Sequence, residues 1–194
     1  VMAKKRIQNL LKPNRPVIIY YGINDPETGI YPYTDYAKKY HSPIFESGDE
    51  AAIYLAKLAK KQNWNFIYKR HPMNRGALEI ELPENVILSD TLNIHDAVDM
   101  ADLNITILSQ MGYEALLRDK PILMLGYNQL RGKGCAYEAY EARDIEPTIE
   151  QALKKGLTKE QKSCFVRHIA QLCKYYLYTD FTNPNVLYGK PIEE

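Results

Sequence analysis

The sequence predicts an α/β doubly wound parallel sheet, and two observations carry that expectation. Short apolar runs bounded by turn residues recur along the chain, and helical patterns occupy the intervals between them. The runs are Val17–Tyr21 (VIIYY), Asn65–Tyr68 (NFIY), Val86–Leu88 (VIL), Leu103–Leu108 (LNITIL) and Pro121–Leu125 (PILML). Near-continuous apolar runs of this length suit strands covered on both faces. In such a sheet ligands collect beyond the carboxyl ends of the strands, which directs attention to the segments that follow each run.

The helices can be placed in order. The opening VMAKKRIQNLLKP is basic and amphipathic, with Ile7, Leu10 and Leu11 on one side. It is read as a connecting helix over residues 1–12, left where the domain was excised from a larger two-domain protein. Ser47 and Glu50 form a capping box, after which Ala52, Leu55, Ala56 and Ala59 mark one buried face that ends near Gln62. Two shorter helices follow at Ile94–Ala101 and Gln110–Arg118. Thr158 and Gln161 form a second capping box, opening a helix over 158–178 with an apolar stripe of Phe165, Ile169, Leu172 and Tyr176 and Cys173 packed beside it. Gly22–Ser47 is longer than an ordinary connection, which marks it as functional or partly disordered.

Composition narrows the classes. At 194 residues with 45% hydrophobic content, the chain is sized for one well-buried domain rather than two thin ones. Twenty-five Lys plus Arg against 24 Asp plus Glu leave a formal charge of +1, so no global field argues for nucleic acid or an anionic membrane. Any anion must be held locally. The three cysteines, Cys135, Cys164 and Cys173, form neither a CxxC pair nor an even disulfide framework, as expected in the reducing cytoplasm. No apolar run approaches the ~20 residues that span a bilayer, although peripheral association with the inner face of a membrane is compatible with the sequence. The scatter of the 16 tyrosines points to amphipathic packing rather than a binding ladder.

Several segments carry candidate chemistry. In YKRHP (Tyr68–Pro72) three basic side chains sit where a strand stops, and strand alternation puts Lys69 and His71 on one side and Arg70 on the other. A cation with an imidazole donor suits a nucleotide phosphate; a solvated basic turn is the alternative. In SQMGYEALL, Ser109 is read as an N-cap, with the backbone N–H groups of Gln110, Met111 and Gly112 open to an anion and Gly112 permitting close approach. Glu114, one turn in, is placed to accept hydrogen bonds from ribose hydroxyls. An ordinary capped helix is the alternative here. The two segments are expected to end neighbouring strands. Asp25, in GINDPETG, is the best-placed carboxylate for acid, base or nucleophile work, with Glu27 the runner-up, though Asp before Pro also serves simple turns. Arg131 and Lys133 in LRGKG lie in a loop that either closes over phosphates or is solvated.

Other chemistry is not signalled. His41, His95 and His168 do not fall at metal-ligand spacing with Cys or acidic residues, and HExxH, CxxC, Walker A, GxGxxG and GxSxG are all missing. The expected metal and cofactor set is therefore none.

Taken together, these residues resemble the nucleotide-binding half of the capsule polysaccharide biosynthesis glycosyltransferases, a group that includes bacterial β-Kdo transferases. Lys69, His71 and Pro72 are similar to the family's K-x-H-P element. Ser109 with Gly112-Tyr113-Glu114-Ala115-Leu116 is similar to its S-x-x-G-Y-E-A-L element. Lys120-Pro121 through Gly126, then Gly132-Lys133-Gly134, follows its continuation, and the whole resemblance spans Val17 to Gly134.

The resemblance implies a Rossmann-like domain equivalent to the C-terminal domain of a GT-B glycosyltransferase, binding a CMP-linked, Kdo-like sugar. It places Lys69 and His71 at the phosphate, with the Ser109 helix start nearby; with the residue readings above, the candidate nucleotide- and phosphate-binding set is Lys69, His71, Ser109, Gln110, Gly112, Glu114, Arg131 and Lys133. It makes Asp25 the nearest match to the family's proposed nucleophile, although the surrounding residues read GINDPETGI where the family has D-Q-x-x-G-D. The saccharide acceptor is expected on an N-terminal domain. The alternatives are a non-catalytic binding or assembly module of a polysaccharide biosynthesis or export system, a UDP-sugar-using GT-B enzyme, and an epimerase.

Overall fold

The structure is a computed structural model that describes residues 2–74 and 80–175. In chain order the elements are α1 (Met2–Gln8), β1 (Val17–Tyr21), α2 (Asp25–Thr28), α3 (Asp35–Tyr40), α4 (Gly48–Gln62), β2 (Asn65–Lys69), β3 (Val86–Ser89), α5 (Ile94–Met100), β4 (Leu103–Thr106), α6 (Met111–Leu117), β5 (Ile122–Met124), β6 (Tyr137–Glu138), α7 (Ala142–Lys155) and α8 (Lys159–Tyr175). The six strands form one sheet in the order β3-β2-β1-β4-β5-β6, and every pairing is parallel. All five predicted strands are present, and the doubly wound sheet is as the sequence predicts.

Strand alternation divides the core in two. Ile18, Tyr20, Phe66, Tyr68, Leu103, Ile105 and Leu123 point to the face covered by α4 and α7. Ile19, Tyr21, Ile67, Ile122 and Met124 point to the other, under α5, α6 and Phe165 of α8. Both faces are covered, which accounts for the unbroken apolar runs.

The capping boxes read from sequence hold. Ser47 Oγ accepts from Glu50 N at 3.1 Å, while the Glu50 carboxylate reaches back to the N–H of Glu46 rather than of Ser47. At α8, Thr158 and Gln161 bond reciprocally, N–H to side-chain oxygen in both directions, at 3.0 and 3.2 Å.

Other expectations are corrected. Helix α1 stops at Gln8, so Ile7 is buried while Leu10 stands 57% exposed beyond the helix end. Cys173 is exposed rather than packed beside the stripe of α8, and Tyr176 lies outside the described residues. The segments YKRHP and SQMGYEALL do not end neighbouring strands, because β1 lies between β2 and β4. The Gly22–Ser47 connection holds two short helices and docks on the end of β5. Tyr127 N donates to His41 O at 2.7 Å, and Ser42 Oγ donates to Leu125 O at 3.4 Å.

Gly126 lies at that docking point. A Cβ there would fall on the His41 carbonyl oxygen and within 2.6 Å of Ile107 Cγ2. Backbone oxygen cannot step aside, so Gly126→Ala is expected to lower stability in urea unfolding by about 2 kcal/mol or more. Gly112→Ala is expected to cost less, because its nearest obstacle at 2.7 Å is the flexible Cδ1 of Leu130. A second buried constraint joins β1 to β4. Tyr21 Oη donates to Asn104 Oδ1 at 2.8 Å, and Asn104 Nδ2 donates to Pro121 O at 3.2 Å. Tyr21→Phe leaves Asn104 Oδ1 without its donor and is expected to cost about 1–3 kcal/mol in the same measurement.

Candidate functional site

The strand order reverses on either side of β1: α4 leads from β1 across one face to β2, and α6 leads from β4 across the other to β5. The chain therefore parts at the carboxyl ends of β1 and β4, which is where ligand crevices form in such sheets. A cleft of about 570 Å³ opens there. Its floor is Tyr21 and Gly22 at the end of β1. One end holds Lys69, Arg70, His71 and Pro72, and the other is walled by Ile94, Met111, Tyr113, Ile169 and Leu172. Ser109, Gln110, Glu114 and Gln129 complete the rim.

The basic end is built by the exit from β2. Lys69 is the last residue of the strand, its carbonyl accepting from Gly22 N at 2.9 Å. It points to the same face as Ile67, as alternation predicts. Burial pushes the Lys69 ammonium below its ordinary value, with nearby Asp90 acting the other way. Arg70 is also buried and forms an ion pair with Asp90 at 3.7 Å. Arg70 contributes to the lining of the same cleft, and its charge also acts on Tyr68, on the other face of the sheet from Ile67.

His71 is oriented by its own turn. Met73 N–H donates to His71 Nδ1 at 3.3 Å, so the neutral ring carries its proton on Nε2 and presents a donor there. Asn74 Nδ2 donates to Ile23 O at 3.1 Å and ties this turn to the exit of β1.

The start of α6 is corrected in detail. The N-cap is Gln110, without a side-chain cap bond, and Ser109 lies one position earlier. Ser109 Oγ accepts from Met111 N at 3.2 Å, Ser109 O from Gly112 N at 3.4 Å, and Gln110 O from Tyr113 N at 2.9 Å. The N–H groups of Met111 and Gly112, expected to be open to an anion, are thus engaged internally. Gly112 does not face the cleft: its missing side chain makes room for Leu130 and Met124 in the core. Positive charge for an anion comes from the end of β2, not from this seven-residue helix. Glu114 stands on the rim with its carboxylate 4.0 Å from His95 Nδ1.

Three further expectations are revised by position. Asp25 begins α2, and both its carboxylate oxygens accept from Gly48 N, at 2.9 and 3.1 Å, at the first turn of α4. Burial raises its pKa, the Gly48 hydrogen bond opposes that rise, and Asp49 adds to it. It faces α4 rather than the cleft, so it acts as a brace between two helix ends and this geometry does not support the nucleophile role. Glu27, the runner-up, is exposed on the same short helix. Arg131 is stacked on Tyr127 with its guanidinium 3.7 Å from the ring centroid, and lies 5.5 Å from that of Tyr140. Lys133 is exposed, and its charge helps to lower the pKa of His168, after burial. Neither basic side chain of this loop lines the cleft.

The far wall is assembled by a tertiary bond. Tyr113 Oη donates to Gln129 Oε1 at 3.2 Å and lies 3.0 Å from His168 Nε2. A hydroxyl has one proton to give, so His168 Nε2–H is the donor of the second bond. Burial, followed by the charge of Lys133, lowers the pKa of that imidazole. The bond pins α8 to α6, and Ile169 and Leu172 of α8 thereby become part of the cleft. The stripe on α8 was legible as packing, but a side-chain bond between residues 113 and 168 leaves no periodic trace in sequence.

The family model described as capsule polysaccharide biosynthesis protein matches residues 30–161, about two thirds of the chain. No curated protein matches it. Among solved structures the chain resembles Thermosulfurimonas dismutans KpsC, a beta Kdo 2,7 transferase, at 19% identity over 72% of this chain and 45% of that one, with a TM-score of 0.49. It resembles the spinosyn rhamnosyltransferase SpnG at 13% identity, over 84% of this chain and 42% of that one, with a TM-score of 0.51. It also resembles the UDP-GlcNAc 2-epimerase from Neisseria meningitidis bound to UDP-GlcNAc, at 12% identity over 89% and 48% of the two chains, TM-score 0.51. The likeness to the last two is one of fold, and the matched region is less than half the length of each of these proteins. With the greater part of its sheet and the whole start of α6 inside the matched region, the chain belongs to the capsule polysaccharide biosynthesis protein family.

Proposed function

We propose that this chain is the donor-binding domain of a glycosyltransferase of capsular or surface polysaccharide synthesis, taking a nucleotide sugar, CMP-linked, into the cleft at the ends of β1, β2 and β4. One observation carries the proposal: the cleft at the strand-order reversal is divided, with Lys69, Arg70 and His71 at one end and the apolar wall of Ile94, Met111, Ile169 and Leu172 at the other. A nucleotide has the same division, an anionic phosphate beside a flat apolar base. In this pose the phosphate lies against the Lys69 ammonium and His71 Nε2–H, the base against the apolar wall, and Glu114 accepts from the ribose hydroxyls.

The chemistry that follows is stabilisation of a leaving group. As the glycosidic bond to the phosphate breaks, negative charge grows on the phosphate oxygens, and fixed cations and donors already in place lower that barrier without reorganising. The acceptor and the group that activates it belong to the remainder of a two-domain protein, in keeping with Asp25 being engaged by α4.

Calorimetry with CMP, UDP and GDP tests the reading. His71→Ala is expected to weaken the bound nucleotide by about tenfold or more, the loss of one hydrogen bond to a charged group, and Lys69→Met by at least as much. No binding of any of the three nucleotides, or binding unchanged in His71→Ala, overturns it. The pH dependence has a definite sign. Because burial lowers the Lys69 pKa, its positive charge is lost below the ordinary lysine range, so nucleotide affinity is expected to fall as pH rises from neutrality through that lowered value. Lys69→Met is expected to flatten the profile, and a profile already flat in the unaltered chain contradicts this role for Lys69.

A further inference from the structure

A second cavity of about 250 Å³ lies beside the cleft, and the two share Gln110, Tyr113 and Gln129. Its remaining walls come from the ends of β4 and β5 and from the long Gly22–Ser47 connection: Leu108, Tyr127 and Asn128 from the former, Thr28 and His41 from the latter. At this size it is below the range of about 300–1,000 Å³ in which pockets hold whole ligands, so it is proportioned as an annex of the larger cleft.

Its chemistry differs from that of the cleft. The residues lining it include hydroxyl, amide and imidazole groups between two tyrosine rings, and none is Lys, Arg, Asp or Glu. Several of these polar groups are not consumed by the fold. Among the described residues, no side-chain hydrogen bond engages the imidazole of His41 or the amide of Gln110, and the Thr28 hydroxyl uses only its proton, donating to Asp25 O at 3.2 Å. Hydroxyl, amide and imidazole groups beside aromatic faces match a ring bearing many hydroxyls, whereas a phosphate finds its charge partners in the adjoining cleft. The shared wall at Tyr113 is fixed by Gln129 and His168, so the passage between the cavities has a set position.

We infer that the smaller cavity is the glycosyl subsite, holding the sugar of the nucleotide sugar through hydrogen bonds from Gln110 and His41 and to the Thr28 hydroxyl oxygen. This rests on the proposed reading of the larger cleft as the nucleotide site. It also assigns a task to the Gly22–Ser47 connection, whose docking on β5 brings His41 and Thr28 to the sheet's carboxyl edge.

The test compares free nucleotides with their sugar conjugates on the same chain. Calorimetry is carried out with CMP, UDP and GDP and with CMP-N-acetylneuraminate, UDP-glucose, UDP-N-acetylglucosamine and GDP-mannose. At least one conjugate is expected to bind more tightly than its own nucleotide. His41→Ala and Thr28→Val are each expected to reduce that advantage by about three- to tenfold, one hydrogen bond's worth, with affinity for the free nucleotide unchanged. Unchanged nucleotide binding also shows that each variant is folded. The advantage is expected to persist at high salt, where the nucleotide's own affinity weakens, because no Lys, Arg, Asp or Glu lines the sugar's cavity. The subsite is overturned if no conjugate outbinds its nucleotide, or if both variants leave the advantage intact. Failure of every nucleotide to bind overturns the cleft reading itself, and the subsite with it.

Discussion

β1 lies between β2 and β4, and the chain leaves these strands toward opposite faces of the sheet. A gap must then open at their carboxyl ends, because no crossover helix covers the point where the winding reverses. Tyr21, the last residue of β1, keeps that gap at a fixed width: its hydroxyl bonds Asn104 of β4 and its carbonyl accepts from Thr106 Oγ1 at 3.2 Å. Thr106 Oγ1 in turn accepts from Ser109 N at 3.3 Å, which sets the start of α6 relative to β1. The two bonds of Tyr21 are buried, where leaving a polar group unpaired is costly. The floor of the cleft and the placement of α6 therefore depend on one polar seam running through an otherwise apolar sheet.

From this seam the remaining walls follow. Parallel registration of β2 with β1 brings Lys69 opposite Tyr21, so the basic exit of β2 is delivered to the same gap. Helix α6 carries Tyr113 to the other side, and the Tyr113–His168 bond draws α8 over it. Each wall has a different structural source: a strand end, a helix start, and a helix distant in sequence. The cleft is asymmetric because those sources differ in chemistry, and its division into a basic and an apolar end is a consequence of topology.

The sheet was legible in the sequence because burial on both faces forces unbroken apolar runs, as in VIIYY and LNITIL, and few alternative arrangements of a short segment demand them. The elements not read lacked that signal. β6 is two residues long, and α7 holds Pro147 in its interior, which a sequence reading takes as a break. Helices α2 and α3 are too short to show a period. The site was half legible. That Lys69 and His71 lie together at a strand end was readable because clustered basic residues after an apolar run are a local pattern, and both line the cleft. Asp25 and Gly112 were misjudged because residue type does not say which way a side chain or a missing one faces: Asp25 turns to Gly48 N, and Gly112 turns to Leu130. His41 and Gln129, which line the cavities, and His168, which bonds Tyr113, carried no local signal, since only tertiary contact brings them to the strand ends.

Electrostatics gives a reason for where the cations sit and where the carboxylates do not. A phosphate-binding end gains most from positive charge that is fixed and partly desolvated, because attraction strengthens as water is removed. The same desolvation magnifies repulsion from any neighbouring carboxylate. In this chain Asp25, which follows β1 directly, is held on the α4 face by a backbone amide, while Glu114 stays at the rim beside His95. Asp90, the acidic residue next to Lys69 and Arg70, is paired with Arg70 and helps to keep Lys69 charged despite burial. The carboxylates are thus either engaged in holding the fold or set back from the basic end of the cleft. On the proposed reading, an acceptor-activating base supplied from another part of the protein preserves this separation, since it approaches from the acceptor side without entering the positive end of the cleft.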